Sequence, residues 1–183
     1  DRKPKVEAVN DYSRDVATFF RILQNHYEAF LDMLKWQVAS RAEFERLLGM
    51  DADRLTDLQR AARFLYLQRM SFGGKVAGRT MGISTTDPAK FDITRLRPLL
   101  EAAHDRLNGV YIECLPWQRF IDRWDRPYAL FFLDPPYYGV EDYYSAPFDR
   151  SEFEDLSNRL RTLQGRFILT LNDHAEVRRI FSW

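Results

Sequence analysis

The sequence has little of what several classes of protein require. Its single cysteine, Cys114, excludes an intramolecular disulfide framework. Its histidines (His26, His104 and His174) show no metal-ligand spacing with Cys114 or with each other, so we expect no metal. No apolar run approaches the roughly 20 residues that a membrane span needs, and the opening DRKPKVEAVNDY has no signal-peptide pattern. These absences predict a cytoplasmic protein without a membrane partner.

The composition is that of a globular chain whose charge is unevenly distributed. Its 183 residues, 45% of them hydrophobic, are enough for one packed core and a small lobe. The formal net charge is zero, yet residues 59–98 hold eight basic and two acidic side chains, and residues 139–158 hold six acidic and one basic. The eight basic residues are Arg60, Arg63, Arg69, Lys75, Arg79, Lys90, Arg95 and Arg97. This segregation fits either two solvated faces or a surface that meets phosphate.

Strand and helix patterns alternate over much of the chain. Strands are predicted at 5–11, 110–115, 128–134 and 166–172, and the last two are nearly continuous in apolar residues, as in a parallel sheet covered on both faces. One long helix is predicted over 16–34, and others over 117–124 and 153–163, the last opening with a Ser151–Glu154 capping box and closing at Gly165. A final helix begins near Asp173. The alternation predicts an α/β fold with an open doubly wound sheet.

Residues 39–108 interrupt this alternation. The section is helical by pattern except for SFGGKVAGRTMGISTTDPAK (71–90), which holds four of the eight glycines. We interpret it as a helical insert that carries a flexible loop, beside a main domain formed by residues 1–38 and 109–183. Because the positive charge falls in the same section, a nucleic-acid partner is favoured over two solvated faces.

The segment DPPY (134–137) ends the apolar run YALFFL. Pro135 favours an extended backbone at Asp134 and removes a donor from the strand ladder, so the strand must stop. The carboxylate of Asp134 and the carbonyl of Pro135, freed by the ring of Pro136, could then accept both protons of one planar amino group. Tyr137 would give a flat face on which a base stacks. The bare tripeptide also fits a rigid turn, but the strand before it and the tyrosine after it favour the functional interpretation.

DPPY resembles the catalytic motif of the amino-methylating DNA methyltransferases. EAVNDYSRDVATFFRIL, RFLYLQRMSFGGKVAG, GVYIECLPWQRFIDRWDRPYALFFLDPPYYG and FILTLNDHAEVRRIF are similar, in this order, to segments of the Dam-type adenine-specific enzymes of bacteria and phages. The resemblance implies a Rossmann-like sheet dependent on S-adenosylmethionine, with residues 39–108 as target-recognition insert, and methylation of the adenine amino group in double-stranded DNA.

The resemblance also implies residue roles. Asp134, Pro135, Pro136 and Tyr137 would be catalytic, Asp11 would bond the ribose of the donor, and Cys114, Leu115 and Asp134 would complete the donor site. Contacts to DNA would come from Arg69, Phe72, Gly74, Lys75 and Arg79, next to Gly73. An acid at a strand end is also the usual partner of a ribose diol on physical grounds.

The chain departs from the family pattern at three places. Pro116 precedes Trp117 where relatives tend to have an acidic residue, no glycine-rich loop lies about 20 residues before Asp11, and the family's last strands do not follow 166–172. We therefore expect a fragment, a degenerate gene or a chain with omitted segments, unable to bind the donor or methylate DNA alone and prone to self-association through an uncovered sheet edge. Three interpretations stay open: an adenine methyltransferase, an inert DNA-binding remnant of one, or a methyltransferase acting on an RNA base or a planar amide.

Overall fold

The computed structural model describes residues 4–139 and 148–183, which form a mixed α/β structure with short parallel strand pairs. The chain divides into two compact units, residues 1–114 and 115–183. Two acidic residues of the predicted acidic section, Glu141 and Asp142, lie outside the described residues. In the part of the chain that is described, no helix is both long and apolar enough to cross a membrane.

In the first unit, residues 4–114 are described and contain one parallel strand pair and five α-helices. The strands pair in register from Glu7 opposite Val110 to Asn10 opposite Glu113, so the predicted strands are confirmed but shorter. The elements are β1 (Glu7–Asn10), α1 (Arg14–Asn25), α2 (Tyr27–Leu34), α3 (Arg41–Leu48), α4 (Asp57–Met70), α5 (Ile93–Leu107) and β2 (Val110–Glu113), with 3₁₀ turns at Ala52–Arg54 and Phe72–Gly74. Helix α4 begins with a capping box in which Thr56 and Gln59 satisfy each other's backbone N–H groups.

These helices share one hydrophobic core. Fully buried side chains from α1, α2 and α4 meet there, among them Leu23, Phe30, Leu34 and Tyr66. The hydroxyl of Tyr66 donates to the carbonyl of Val38 at 2.9 Å, which satisfies the one polar atom of a buried ring. The helices of section 39–108 therefore pack on those that precede them, and the predicted division of the chain by function stays a prediction.

The prediction of one long helix over 16–34 is wrong. The helix breaks at His26, whose backbone (φ −135°, ψ 36°) leaves the helical region before Tyr27 starts α2. Asn25 and His26 are both weak helix formers, and the N–H of His26 still donates to the carbonyl of Ile22 at 2.8 Å. The apolar spacing continues across the break, which is why the pattern alone does not show it.

The second unit places helices against a second parallel pair. Its elements are α6 (Trp117–Trp124), β3 (Leu130–Leu133), α7 (Arg150–Arg161), β4 (Arg166–Leu169) and α8 (Ala175–Ile180). Leu130 lies opposite Arg166 and Leu133 opposite Leu169. Within this unit α6 and α7 cover the strand face that carries Phe131, whereas Leu130 and Phe132 on the other face are exposed. The apolar runs predict that helices cover both faces of these strands. Among the residues described in this unit, only the face that carries Phe131 is covered.

Two helix starts also differ from prediction. Asp149, not Ser151, caps α7: its carboxylate accepts from the N–H groups of Ser151 and Glu152. His174 caps α8 through an N–H of Glu176, while Asp173 pairs with Arg178. Each helix start has two nearby side chains that could accept its first N–H groups, and the local backbone conformation determines which of them is the N-cap.

A buried carboxylate fixes the entry to β4. Asp125 is 4% exposed, and it accepts the N–H groups of Gln164 and Gly165 at 3.0 Å and an N–H of Arg159 at 3.2 Å. Gly165 permits the approach, because a Cβ there would lie 2.7 Å from the carbonyl oxygen of Ala129. This junction brings the start of β4 beside β3 and so determines which residues meet at the other end of the pair.

Candidate active site

The strand β3 ends at Leu133, and the four residues of DPPY follow it directly. Asp134 is exposed, Pro135 and Pro136 are half-buried, and Tyr137 has 44% of its surface accessible. Ligands of parallel α/β sheets bind beyond the carboxyl ends of the strands, and this is where Asp134 and Tyr137 lie. A carboxylate and an aromatic ring are therefore both open to a ligand at one strand end.

The neighbouring strand supplies a hydrogen bond to the carboxylate. Thr170 follows β4, and its N–H donates to the carbonyl of Leu133 at 3.0 Å, which continues the parallel ladder. Its hydroxyl donates to Oδ1 of Asp134 at 2.5 Å. The hydrogen bond favours one orientation of the Asp134 carboxylate.

A second residue after β4 holds the segment further along. The side-chain amide of Asn172 accepts the N–H of Tyr138 at 2.9 Å and donates to the carbonyl of the same residue at 3.0 Å. One side chain thus satisfies both backbone polar groups of Tyr138. The segment is fixed at Asp134 and at Tyr138, on either side of Tyr137.

Tyr137, the last residue of DPPY, and Tyr138, which follows it, differ in their surroundings. The ring of Tyr138 lies 4.7 Å from that of His174 and 5.1 Å from that of Phe153, and the guanidinium of Arg150 is 5.5 Å from its centre. Tyr138 is thus part of the packing of this unit. Tyr137, by contrast, presents an accessible ring.

In the first unit, the carboxyl ends of β1 and β2 bring Asp11 and Cys114 together. The N–H of Asp11 donates to the carbonyl of Glu113 at 3.4 Å, and the thiol of Cys114 lies 3.7 Å from the carbonyl of Tyr12. Oδ1 of Asp11 accepts the N–H of Ser13 at 2.7 Å. Partial burial raises the pKa of Asp11, and the hydrogen bond from Ser13 opposes that shift. Burial and then the charge of Asp11 raise the pKa of the Cys114 thiol.

Comparison with known protein families identifies the family of the chain. The chain matches the family described as D12 class N6 adenine-specific DNA methyltransferase over residues 2–182. The chain belongs to this family. No curated protein matches it. Members of the family are enzymes that methylate the amino nitrogen of adenine in DNA with S-adenosylmethionine as donor.

The carboxylate of Asp11 in this methyltransferase could hold the ribose of that donor. It is a carboxylate at the carboxyl end of a parallel strand, partly buried but still accessible, and a carboxylate has enough lone pairs to accept two hydroxyl groups besides the Ser13 N–H. Cys114 lies beside it and is exposed. Leu115 is the first residue of the other unit. Among the residues at positions 4–139 and 148–183, no cluster of three or more His, Cys, Asp or Glu side chains could hold a metal ion.

The predicted DNA-contacting loop of the methyltransferase is a tight turn at the end of α4. Phe72 is 62% exposed, and Gly73 and Gly74 have φ angles of 62° and 68°, which favour glycine. The carbonyl of Gly74 accepts from the side-chain amide of Gln68 at 2.7 Å, and Lys75 is exposed. The turn thus presents an aromatic ring and an ammonium group to solvent.

Several basic residues of this section have structural roles instead. Arg60 is 5% exposed and lies 2.9 Å from carboxylate oxygens of Asp15 and of Asp53. Arg63 donates to the carbonyl of Leu47 at 2.7 Å. Two of the eight basic side chains therefore stabilise the fold, and a charge count along the sequence overstates the positive surface.

The two predicted DNA-contacting arginines also have intramolecular partners. Arg79 donates to the carbonyl of Val76 and to the side chain of Gln68, and burial, followed by the nearby Arg63, lowers the pKa of Arg79. Arg69 is exposed and donates to the carbonyl of Lys90 at 3.3 Å. These bonds hold the loop against α4, and Lys75 is exposed.

Sequence reasoning did not identify Thr170 and Asn172 as site residues. Both lie in RFILTLN (166–172), which the sequence predicts as a strand and which overlaps a segment similar to the Dam-type enzymes, but neither residue is given a role there. The signal that could have found them is the parallel pairing itself, because polar residues after two neighbouring parallel strands meet at the same sheet edge.

Proposed function

We propose that this methyltransferase acts on its target adenine through Asp134, Pro135 and Tyr137. The observation that carries the proposal is the pair of accessible side chains after β3, a carboxylate and an aromatic ring, with the carboxylate held by Thr170. A base that has left the duplex can stack on Tyr137 while its amino group meets Asp134.

The adenine amino nitrogen is a poor nucleophile because its lone pair is delocalised into the ring. Oδ2 of Asp134 and the carbonyl of Pro135 accept its two protons, which localises the lone pair on nitrogen for attack. The ring of Pro136 keeps that carbonyl out of regular structure. Asp134 is oriented for this task by the Thr170 hydroxyl, which occupies its other oxygen.

Asp11 holds the ribose hydroxyls of the donor, and the backbone near Cys114 and Leu115 contacts the donor's adenine. S-adenosylmethionine supplies an electrophilic methyl group on a sulfonium when bound. The exposed position of the Asp11 carboxylate after β1 supports this assignment.

In this proposal the chain has a Rossmann-like methyltransferase fold, with residues 39–108 as the target-recognition insert. Arg69, Phe72, Gly74, Lys75 and Arg79 form its DNA-contacting part. The exposed Phe72 and Lys75 support a contact with duplex DNA, since an aromatic ring and a cation suit bases and phosphates respectively.

A comparison of methyl acceptors tests the proposed function. The protein is incubated with donor carrying a labelled methyl group and with duplex DNA, RNA or a protein mixture, and the labelled product is digested to single nucleosides or amino acids. Because the chain belongs to the family over residues 2–182, we expect label in N6-methyladenine from DNA, and this result would overturn the expectation from the sequence that the chain is inactive alone. Label in RNA or in a side-chain amide would contradict the proposal and support the alternative acceptor class.

A further inference from the structure

The end of β4 supplies two polar side chains to the motif that follows β3. Leu133 pairs with Leu169, so the parallel register places Thr170 beside Asp134, and Asn172 reaches Tyr138. These contacts go beyond the hydrogen bonds that the motif is proposed to accept from the adenine amino group, because neither side chain needs to touch the base.

We propose that Thr170 and Asn172 are positioning residues for methyl transfer. Thr170 sets the orientation of the Asp134 carboxylate, and Asn172 fixes the backbone on which Tyr137 stands. The proposal rests on the proposed roles of Asp134 and Tyr137.

Thr170 acts through its single hydroxyl proton. That proton is donated to Oδ1 of Asp134 at 2.5 Å, although the carbonyl of Leu133 is also within 3.3 Å of the hydroxyl oxygen. With Oδ1 engaged by Thr170, we assign Oδ2 as the acceptor for an incoming amino group. Carboxylate rotation about the last side-chain bond is otherwise broad, and a displacement of about 1 Å at a reacting group can lower a rate about 100-fold.

Asn172 acts on a segment that cannot be held by ordinary strand bonds. Pro135 and Pro136 carry no N–H, so neither residue can donate to a neighbouring strand. The amide of Asn172 instead binds both backbone groups of Tyr138, and the packing of Tyr138 against His174 supports the same position. Tyr137, one residue before, is thereby placed without its ring being buried.

A matched pair of substitutions tests Thr170. Thr170→Val keeps the side-chain shape and removes the hydroxyl, whereas Thr170→Ser keeps the hydroxyl. We expect Val to lower kcat about 10- to 100-fold with KM for DNA changed by less than about twofold, and Ser to stay within about threefold of wild type. Equal kcat for Val and wild type, or equal losses for Val and Ser, would overturn the role of Thr170.

Amide hydrogen exchange tests Asn172 independently of activity. Asn172→Ala removes the acceptor of the Tyr138 N–H, so exchange at Tyr138 should accelerate about tenfold or more, while amides within α7 keep their wild-type rates. The control is Asn158→Ala, which changes an exposed asparagine of α7 and should leave both exchange and kcat unaltered. Unchanged exchange at Tyr138 in Asn172→Ala would overturn the positioning role of Asn172.

The same experiments separate this proposal from the proposed function. If the wild-type protein methylates adenine in DNA and both Thr170→Val and Asn172→Ala keep its kcat, only the positioning proposal fails. If the wild-type protein methylates no DNA, the proposed function fails and takes the positioning role with it. Hydrogen exchange at Tyr138 then still decides whether the side chain of Asn172 holds the backbone of Tyr138.

Discussion

At the scale of single residues, the ionisation of Asp11 affects the stability of the fold. Its partial burial raises its pKa, so the folded protein binds a proton at this site more tightly than the unfolded chain does. Ionised Asp11 therefore lowers stability, and the loss appears as pH rises through the folded pKa.

Asp11→Asn is expected to separate this effect on stability from the proposed binding of the donor by Asp11. The variant should bind S-adenosylmethionine at least about tenfold more weakly, because it loses a charged acceptor of two hydroxyl groups. It should be no less stable than wild type at pH 7, and the stability difference should shrink as the pH falls toward the ordinary aspartate value of about 4. Donor titration calorimetry and urea denaturation at both pH values measure this. Tight donor binding by Asp11→Asn would remove Asp11 from the site.

At the scale of elements, the junction between α6 and β4 depends on Asp125. Burial acts to raise the pKa of Asp125, but the N–H groups of Gln164 and Gly165 and the side chain of Arg159 outweigh it, so the pKa is lowered overall. A lowered pKa stabilises the fold above the ordinary aspartate value, and the contribution is lost as the pH falls through the folded value.

Asp125→Ala should therefore destabilise the protein by about 3 kcal/mol at pH 7, because two buried N–H groups and Arg159 lose their acceptor. The difference in the free energy of unfolding between wild type and Asp125→Ala should become smaller in acid, where wild-type Asp125 is protonated. Thermal and urea unfolding between pH 3 and pH 7 measure it. Asp122→Ala is the control, since Asp122 pairs with the same Arg159 but is mostly exposed and should cost less than about 1 kcal/mol. Equal losses for the two variants would contradict the assigned role of the junction.

The turn after α4 gives a second prediction at this scale. Lys75→Ala should weaken duplex binding and reduce the slope of log K against log salt by about 0.9, the value for one phosphate contact. Lys35→Ala is the control, because Lys35 is also exposed but pairs with Asp32 outside the turn, and its slope should equal that of wild type. Binding isotherms at several salt concentrations measure both slopes. An unchanged slope for Lys75→Ala would show that the turn does not contact phosphate.

Across the whole molecule, some features follow from the sequence and others do not. The end of β3 at DPPY and the carboxylate after β1 can be predicted from the sequence, because each depends on residues only a few positions apart. The contacts of Thr170 and Asn172 require the register of β3 against β4, which residues more than 30 positions apart determine. The burial of Arg60 against Asp15 similarly depends on the packing of α4 on α1, so a linear charge count could not exclude it from the DNA surface.

Self-association through a strand edge stays a prediction at this scale. Sedimentation at several protein concentrations measures it, with a mass that rises with concentration as the expected result. A single monomer mass over that range would contradict it.

The central claim is that adenine N6 is methylated through Asp134, and single-turnover methyl transfer to duplex DNA by wild type and Asp134→Ala tests it most directly. We predict that Asp134→Ala loses at least about 1000-fold in transfer rate, since an acceptor used in the transition state is removed, while its affinity for the duplex stays within about threefold. Near-wild-type transfer by Asp134→Ala would contradict the claim, and duplex binding by wild type without any transfer would support the inert DNA-binding alternative instead.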